Sequence, residues 1–415
     1  MKLLTIGTLF LLLVNCQSPK APQVQFWVGA ASESINPPLG SFIAGDQLNR
    51  KFEGLHDSLF AKAVVISNGE HTMAIVTLDC IGLLYPEVMR IRQLSAQLTQ
   101  NLLLPSNHVI VASNHIHSGP DVVGIWGPNQ WTSGVDTAYL SHLITVAARQ
   151  VQKAALQIQA ANASFAVGTH GFEWVHNISK PSEIDRSLTT LAFTDQNGNN
   201  IATLTNFACH PTFYDAVHDV ISADYVGAFY QKMASAKTGE HLFLQGSIGG
   251  WVQPDKEDQS FDVGTKRGAG LADATLMLLK QASPLEGTAI DFNFVKFELP
   301  VTNPAWQQLA ELGILTRPIT QVVKSEIAWF RIGAAEFITH PGETPPTYAL
   351  QSKEWMGSQP TFVIGLGLDA IGYILTPEFF HNEEIPNAPY LTGMSLGEST
   401  GPIVLEKIRE AIPIE

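Results

Sequence analysis

The sequence predicts an α/β fold of mixed β-sheets flanked by helices, and three observations carry that reading. Short β-branched apolar runs such as HVIVAS (108–113) alternate with amphipathic stretches such as DTAYLSHLITVAARQVQKAALQI (136–158). Asn-Gly pairs at 68–69 and 197–198 sit between consecutive strand-like runs, as hairpin turns do. No repeat, low-complexity tract or Pro/Ser-rich linker interrupts 25–415, which predicts one domain there.

In chain order, AKAVVIS (61–67) and TMAIVTLDC (72–80) read as strands around Asn-Gly-Glu-His. A helix over 86–102 leads into the 108–113 strand, and a longer one covers 136–158. SLTTLAFTD (187–195) and NIATLTNFACH (200–210) bracket the second Asn-Gly turn. Helices follow at 222–236, 265–282, 305–313 and 402–412, with strands at 296–301, 326–332 and 361–367 and a further apolar strand that leads into His340 and a turn.

The net charge of −14, with no basic stripe, excludes a nucleic-acid partner. MKLLTIGTLFLLLVNC carries one Lys, a twelve-residue apolar run (Leu3–Val14) and then Cys16. That run is too short to span a bilayer and reads as a secretory signal over 1–15. LVNC resembles a bacterial lipoprotein box, although Asn15 departs from the small residue usual before the cysteine. The expectation is an exported protein with a lipid on Cys16, a tether over 16–24, and no other membrane contact. Plain secretion is the alternative. Cys80 and Cys209 read as small buried hydrophobes rather than a disulfide.

Four segments share one texture: an apolar run that breaks at Pro or Gly beside a chemically capable side chain. They are ASNHIHSGPD (112–121), NFACHPTFYDA (206–216), AEFITHPGETPP (335–346) and GLDAIGYILTPEFF (367–380). If the chain stays extended past 113, His115 and His117 share one face. Imidazoles plus one carboxylate, with an open position for water, are what a catalytic zinc site requires. Taken singly, a strand-end His or Glu next to Pro is more often a loop-bracing hydrogen bonder.

The ordered set resembles the catalytic domain of the neutral (non-lysosomal) ceramidase family. VGAASESINPPLGSFIAG (28–45) resembles its opening, and GLHDSLFAKAVVIS (54–67) and VTLDCIGL (76–83) its next two strands. NHIHSGP is similar to Thr-His-Thr-His-Ser-Gly-Pro, ACHPT to His-Pro-Thr, ISADYVG (221–227) to an Ala-Asp-Trp stretch. HPGE is similar to Pro-Gly-Glu, and IGYILTPEFF to Gly-Tyr-x-x-Thr-x-Glu-Glu-Tyr. The resemblance implies one zinc per chain on His115, His210, Glu343 and Tyr373. It also implies a catalytic His117, with Tyr373 aiding the developing oxyanion. Asp224 is expected either to orient a ligand histidine or to cap a helix.

Three departures bear on the substrate. The family's Gly-Asp-Val-Ser-Pro element is matched by GSIGGWVQPD (246–255), with Ser247 and Asp255 only nearby. Its Asn-Arg-Ser segment is matched by Asn177-Ile178-Ser179, so the arginine is missing. The sequence reaches its last helix at 402–412, and the expectation is a catalytic domain without the C-terminal β-domain of long ceramidases. The resulting expectation is a zinc-dependent hydrolase of an N-acyl bond with a small non-ceramide substrate. An esterase or lactonase acting on an O-acyl substrate at the same site is the alternative within enzymes. A non-catalytic surface lipoprotein that binds lipid or glycan is the alternative outside them.

Overall fold

The computed structural model describes residues 26–357 and 359–414. The signal, Cys16 and tether expected from the sequence lie outside these residues. Eight strands form the path of the larger sheet: β1 (Phe26–Ser34), β2 (Phe60–Ser67), β3 (Thr72–Leu78), β4 (Val109–Ser113), β5 (Gln159–Thr169), β6 (Ser187–Thr194), β7 (Asn200–Phe207) and β8 (Glu240–Gln245). Their spatial order is β8-β7-β6-β5-β1-β2-β3-β4, and a ninth short strand, Ser283–Pro284, pairs with β5. The interior pairs are antiparallel, whereas both end pairs, β7/β8 and β3/β4, are parallel. A second sheet orders β9 (Ile290–Pro300), β10 (Val322–Ile332), β11 (Ala335–His340) and β12 (Thr361–Gly365), with a parallel β11/β12 pair. The mixed-sheet α/β expectation therefore holds.

Both hairpin turns form for the reasons their residues suggest. Asn68 Oδ1 accepts from the amides of Glu70 and His71, and Asp195 Oδ1 accepts from those of Asn197 and Asn199. Helix α1 (Tyr85–Leu98) packs on α2 (Thr137–Leu156), and α2 lies along β1 and β2. Asp136 caps α2 by accepting from Ala138 N and Tyr139 N. Helices α3 (Asp224–Ala236) and α4 (Phe261–Leu279) pack together beside β8, β5 and β6. The strand at 159–169 was not legible in sequence, because QAANASFAVGT is mostly small and half-buried and shows no clean alternation.

The two sheets meet where the larger one curls on itself. Its end strands β4 and β8 approach each other, and β12 lies against β4, β7 and β8. Asn206 on β7 fastens this junction: its Nδ2 donates to the carbonyls of Leu244 and Val363, and its Oδ1 accepts from Val363 N. Beyond β12, Leu368 N donates to Val111 O and Ser113 N donates to Leu366 O. The buried Arg317 guanidinium, 2.9 Å from Asp369 Oδ1, anchors the same segment. The ends of β4, β7, β8, β11 and β12 are thereby gathered at one place, and every chemically capable segment leaves from there.

Candidate metal centre and its cavity

β4 ends at Ser113, and the chain turns sharply rather than staying extended. His115 adopts a left-handed conformation with φ +62°. The expectation that strand alternation puts His115 and His117 on one face is therefore corrected. They come together because the turn folds back, with ring centroids 5.0 Å apart. Amides in this turn are satisfied by the neighbouring strand: Asn114 N donates to Leu78 O and Ile116 N to Cys80 O. Gln245, at the end of β8, joins the two histidine-bearing loops by donating to the carbonyls of Asn114 and Cys209.

The three imidazoles cluster, their ligating nitrogens lying within 4.8 Å of one another in the arrangement of His115, His117 and His210. His115 places Nδ1 2.6 Å from Ile81 O, and His210 places Nδ1 2.8 Å from Val252 O. A carbonyl can only accept, so each Nδ1 carries the proton and each Nε2 presents a lone pair. Burial pushes the His115 imidazole down to about 3, which keeps it neutral. Those lone pairs face Glu343 Oε2, 3.6 Å from His115 Nε2 and 3.0 Å from His210 Nε2. Two lone pairs converging on a buried anion call for a cation between them, so the donor set fits a metal ion. Each Nδ1–H···O=C bond is the outer support that a ligating histidine ordinarily has.

His117 is held differently. Its Nδ1 lies 3.2 Å from Asp215 Oδ2, while its buried Nε2 has no hydrogen-bond partner among the described residues. Asp215 was missed in the sequence, although it stands five residues after His210 in the same loop. Gly45 makes the arrangement possible: a Cβ there would lie 2.8 Å from His117 Nδ1 and 2.9 Å from Asp215 Oδ1. Tyr373 is aligned with Glu343 by paired backbones, Glu343 N donating to Gly372 O and Ile374 N to Glu343 O. Burial, then the Glu343 charge, raises the Tyr373 phenol well above 10, so it is a donor.

The Asp224 expectation is corrected. Asp224 touches no ligand histidine; at the start of α3 its carboxylate accepts from Tyr214 N and Tyr225 N and braces the loop that carries Asp215. His340 is structural, its Nδ1 2.7 Å from Thr344 Oγ1 and its Nε2 3.1 Å from Ser352 Oγ. Ser247 is buried against Thr344 Oγ1 at 2.8 Å and does not face the cavity, nor does Asp255. Cys80 and Cys209 are free and buried, as read.

A cavity of about 250 Å³ opens onto the cluster, lined by His115, His117, Glu343 and Tyr373. Its walls include Ile178, Trp251 and Gln253, the residues that mark the departures from the family pattern. Trp251 stacks on Tyr390 with centroids 5.3 Å apart. Gly249 before it has a steric reason, since a Cβ there would lie 2.4 Å from the Glu343 carbonyl oxygen. Thr212 also lines the cavity, and its buried hydroxyl has no partner among the described residues.

Fold and site together define a mixed α/β protein with a buried histidine–carboxylate centre, compatible with a metal ion, where two sheets meet. The fold is that of neutral ceramidase. The crystal structure of neutral ceramidase from Pseudomonas aeruginosa superposes with a TM-score of 0.76 at 18% identity, covering 95% of this chain and 76% of that one. A ceramidase complexed with C2 superposes with a TM-score of 0.75 at 17% identity, covering 94% and 75%. No family model matches the chain.

Proposed function

We propose that the protein is a zinc-dependent hydrolase that cleaves the N-acyl bond of a small substrate, not long-chain ceramide. The observation that carries this is the convergence of the His115 and His210 lone pairs on Glu343, beside an unpartnered His117 Nε2 in a cavity. His115, His210, Glu343 and Tyr373 would hold the ion, a nitrogen–oxygen donor set that suits zinc. Bound there, zinc supplies Lewis acidity, lowering the pKa of water toward ~7 and polarising a carbonyl.

The chain's own residues do the rest. Asp215 keeps the His117 proton on Nδ1, so Nε2 is free to accept a proton from the attacking water. His117 then returns that proton to the leaving nitrogen. The Tyr373 hydroxyl donates to the oxygen on which charge develops. The Thr212 hydroxyl and the Trp251 ring supply polar and stacking contacts to the substrate. Export and a lipid on Cys16, supported by the Leu3–Val14 run, would place this chemistry outside the cytoplasm.

A panel of short N-acyl and O-acyl substrates beside a fluorescent ceramide, with zinc and with chelator, tests the reading. The expected result is chelator-sensitive hydrolysis of a short N-acyl substrate. Ceramide turning over faster than every short substrate overturns the substrate assignment, and hydrolysis of esters alone reassigns the bond.

A further inference from the structure

Lys256 lines the same cavity as His117 and Glu343. Its side chain is 31% exposed, and its ammonium makes no hydrogen bond to the described residues. The nearest acidic oxygen is Asp215 Oδ2 at 3.9 Å, beyond hydrogen-bonding reach. Asp215 has closer partners than Lys256, whose charge is only one of those that hold its carboxyl down. That carboxylate sits 3.2 Å from His117 Nδ1, accepts from Asp46 N at 3.3 Å, and has Arg50 Nη1 at 3.6 Å. The cavity wall therefore carries an ammonium whose donors are uncommitted.

Gln253, three residues earlier, lines the cavity too, and its side-chain amide has no hydrogen-bond partner among the described residues. Lys256 and His117 share one neighbour, Asp215 Oδ2, so the ammonium stands one carboxylate away from the imidazole that serves the leaving nitrogen. In an N-acyl amino acid the carboxylate is one carbon removed from that nitrogen. Resting on the hydrolase reading above, we infer that Lys256, aided by Gln253, binds a carboxylate on the leaving group, which makes N-acyl amino acids the substrate class. Three carboxylates, Asp46, Asp215 and Glu343, also line the cavity; Asp215 already faces His117 and Arg50, and Glu343 the ligand histidines, which leaves Asp46 as the one that would favour a cationic leaving group. Its side chain is exposed and hydrated, which weakens its pull.

Calorimetric titration of the zinc-loaded protein with N-hexanoylglycine, N-hexanoylglycinamide and N-hexanoylethylenediamine, alongside turnover of each, tests this. The wild type is expected to bind the carboxylate at least about tenfold more tightly than the amide, the range for a hydrogen bond to a charged group. Lys256→Ala should bring the two within about twofold, and Lys256→Glu should shift preference toward the amine. Equal binding of acid and amide by the wild type, or a ratio that survives Lys256→Ala, overturns the inference. Hydrolysis without charge preference sinks Lys256 alone. A charge preference in binding without hydrolysis of any member leaves the carboxylate site standing and removes the hydrolase reading.

Discussion

His210 Nε2 lies 3.0 Å from Glu343 Oε2, while Nδ1 of the same ring is 2.8 Å from the Val252 carbonyl. A neutral imidazole has one N–H, and the carbonyl claims it, so the short contact to the carboxylate needs a further positive charge. One zinc per chain is the expected occupant. Elemental analysis of protein purified without added metal should give close to one equivalent, and Glu343→Gln should lower it severalfold. Less than about a tenth of an equivalent, with no uptake from added zinc, would leave protonated His210 as the explanation.

His117 differs from its neighbours in leaning on a carboxylate rather than a carbonyl. His117→Ala should retain the metal and the fold while turnover drops by about 10²–10⁴. Metal content measured on the variant decides the role: loss of the ion would make His117 a ligand.

Tyr373→Phe removes the hydroxyl that serves the developing charge and is one of the four proposed ligands, so metal content is measured beside turnover. Turnover should fall by about 10–10³ with KM little changed, the pattern of a donor that acts on developing charge. Steady-state kinetics with wild-type-like activity would take Tyr373 out of the chemistry.

Asp79 supports the His115 turn through Asn114 Nδ2 at 2.7 Å, and burial holds its carboxyl up at about 6. The unfolded value is lower, so the folded state binds the extra proton between the two. That contribution is complete at about pH 4 and lost as pH rises through about 6. Asp79→Asn imitates the protonated form, so it should gain on the wild type between pH 4 and pH 7, by up to roughly 3 kcal/mol. Urea melts at the two pH values provide the check. A difference between variant and wild type that does not change with pH would show that Asp79 titrates normally.

Much of this site was written locally. Strand periodicity located HVIVAS, NFACH and AEFITH, because burial on a sheet demands β-branched and apolar residues whatever the partner strand. The breaks after them, Gly-Pro, His-Pro and Pro-Gly, marked where each run stops, since proline cannot continue a ladder. Resemblance then singled out His115, His117, His210, Glu343 and Tyr373, and all five meet at one place.

Other features depend on how distant segments pack. Whether His115 and His117 face one way hinged on a left-handed residue, which Leu78 and Cys80 carbonyls across the strand pair dictate. Asp215 rather than Asp224 supports His117 because a loop, braced by Asp224, turns it inward. Lys256 gained meaning only from the cavity it lines. Composition and periodicity depend on each residue's own burial, so they are legible along the chain. Side-chain pairing depends on distances between segments 100 or more positions apart, such as His210 and Glu343, and no local pattern encodes those.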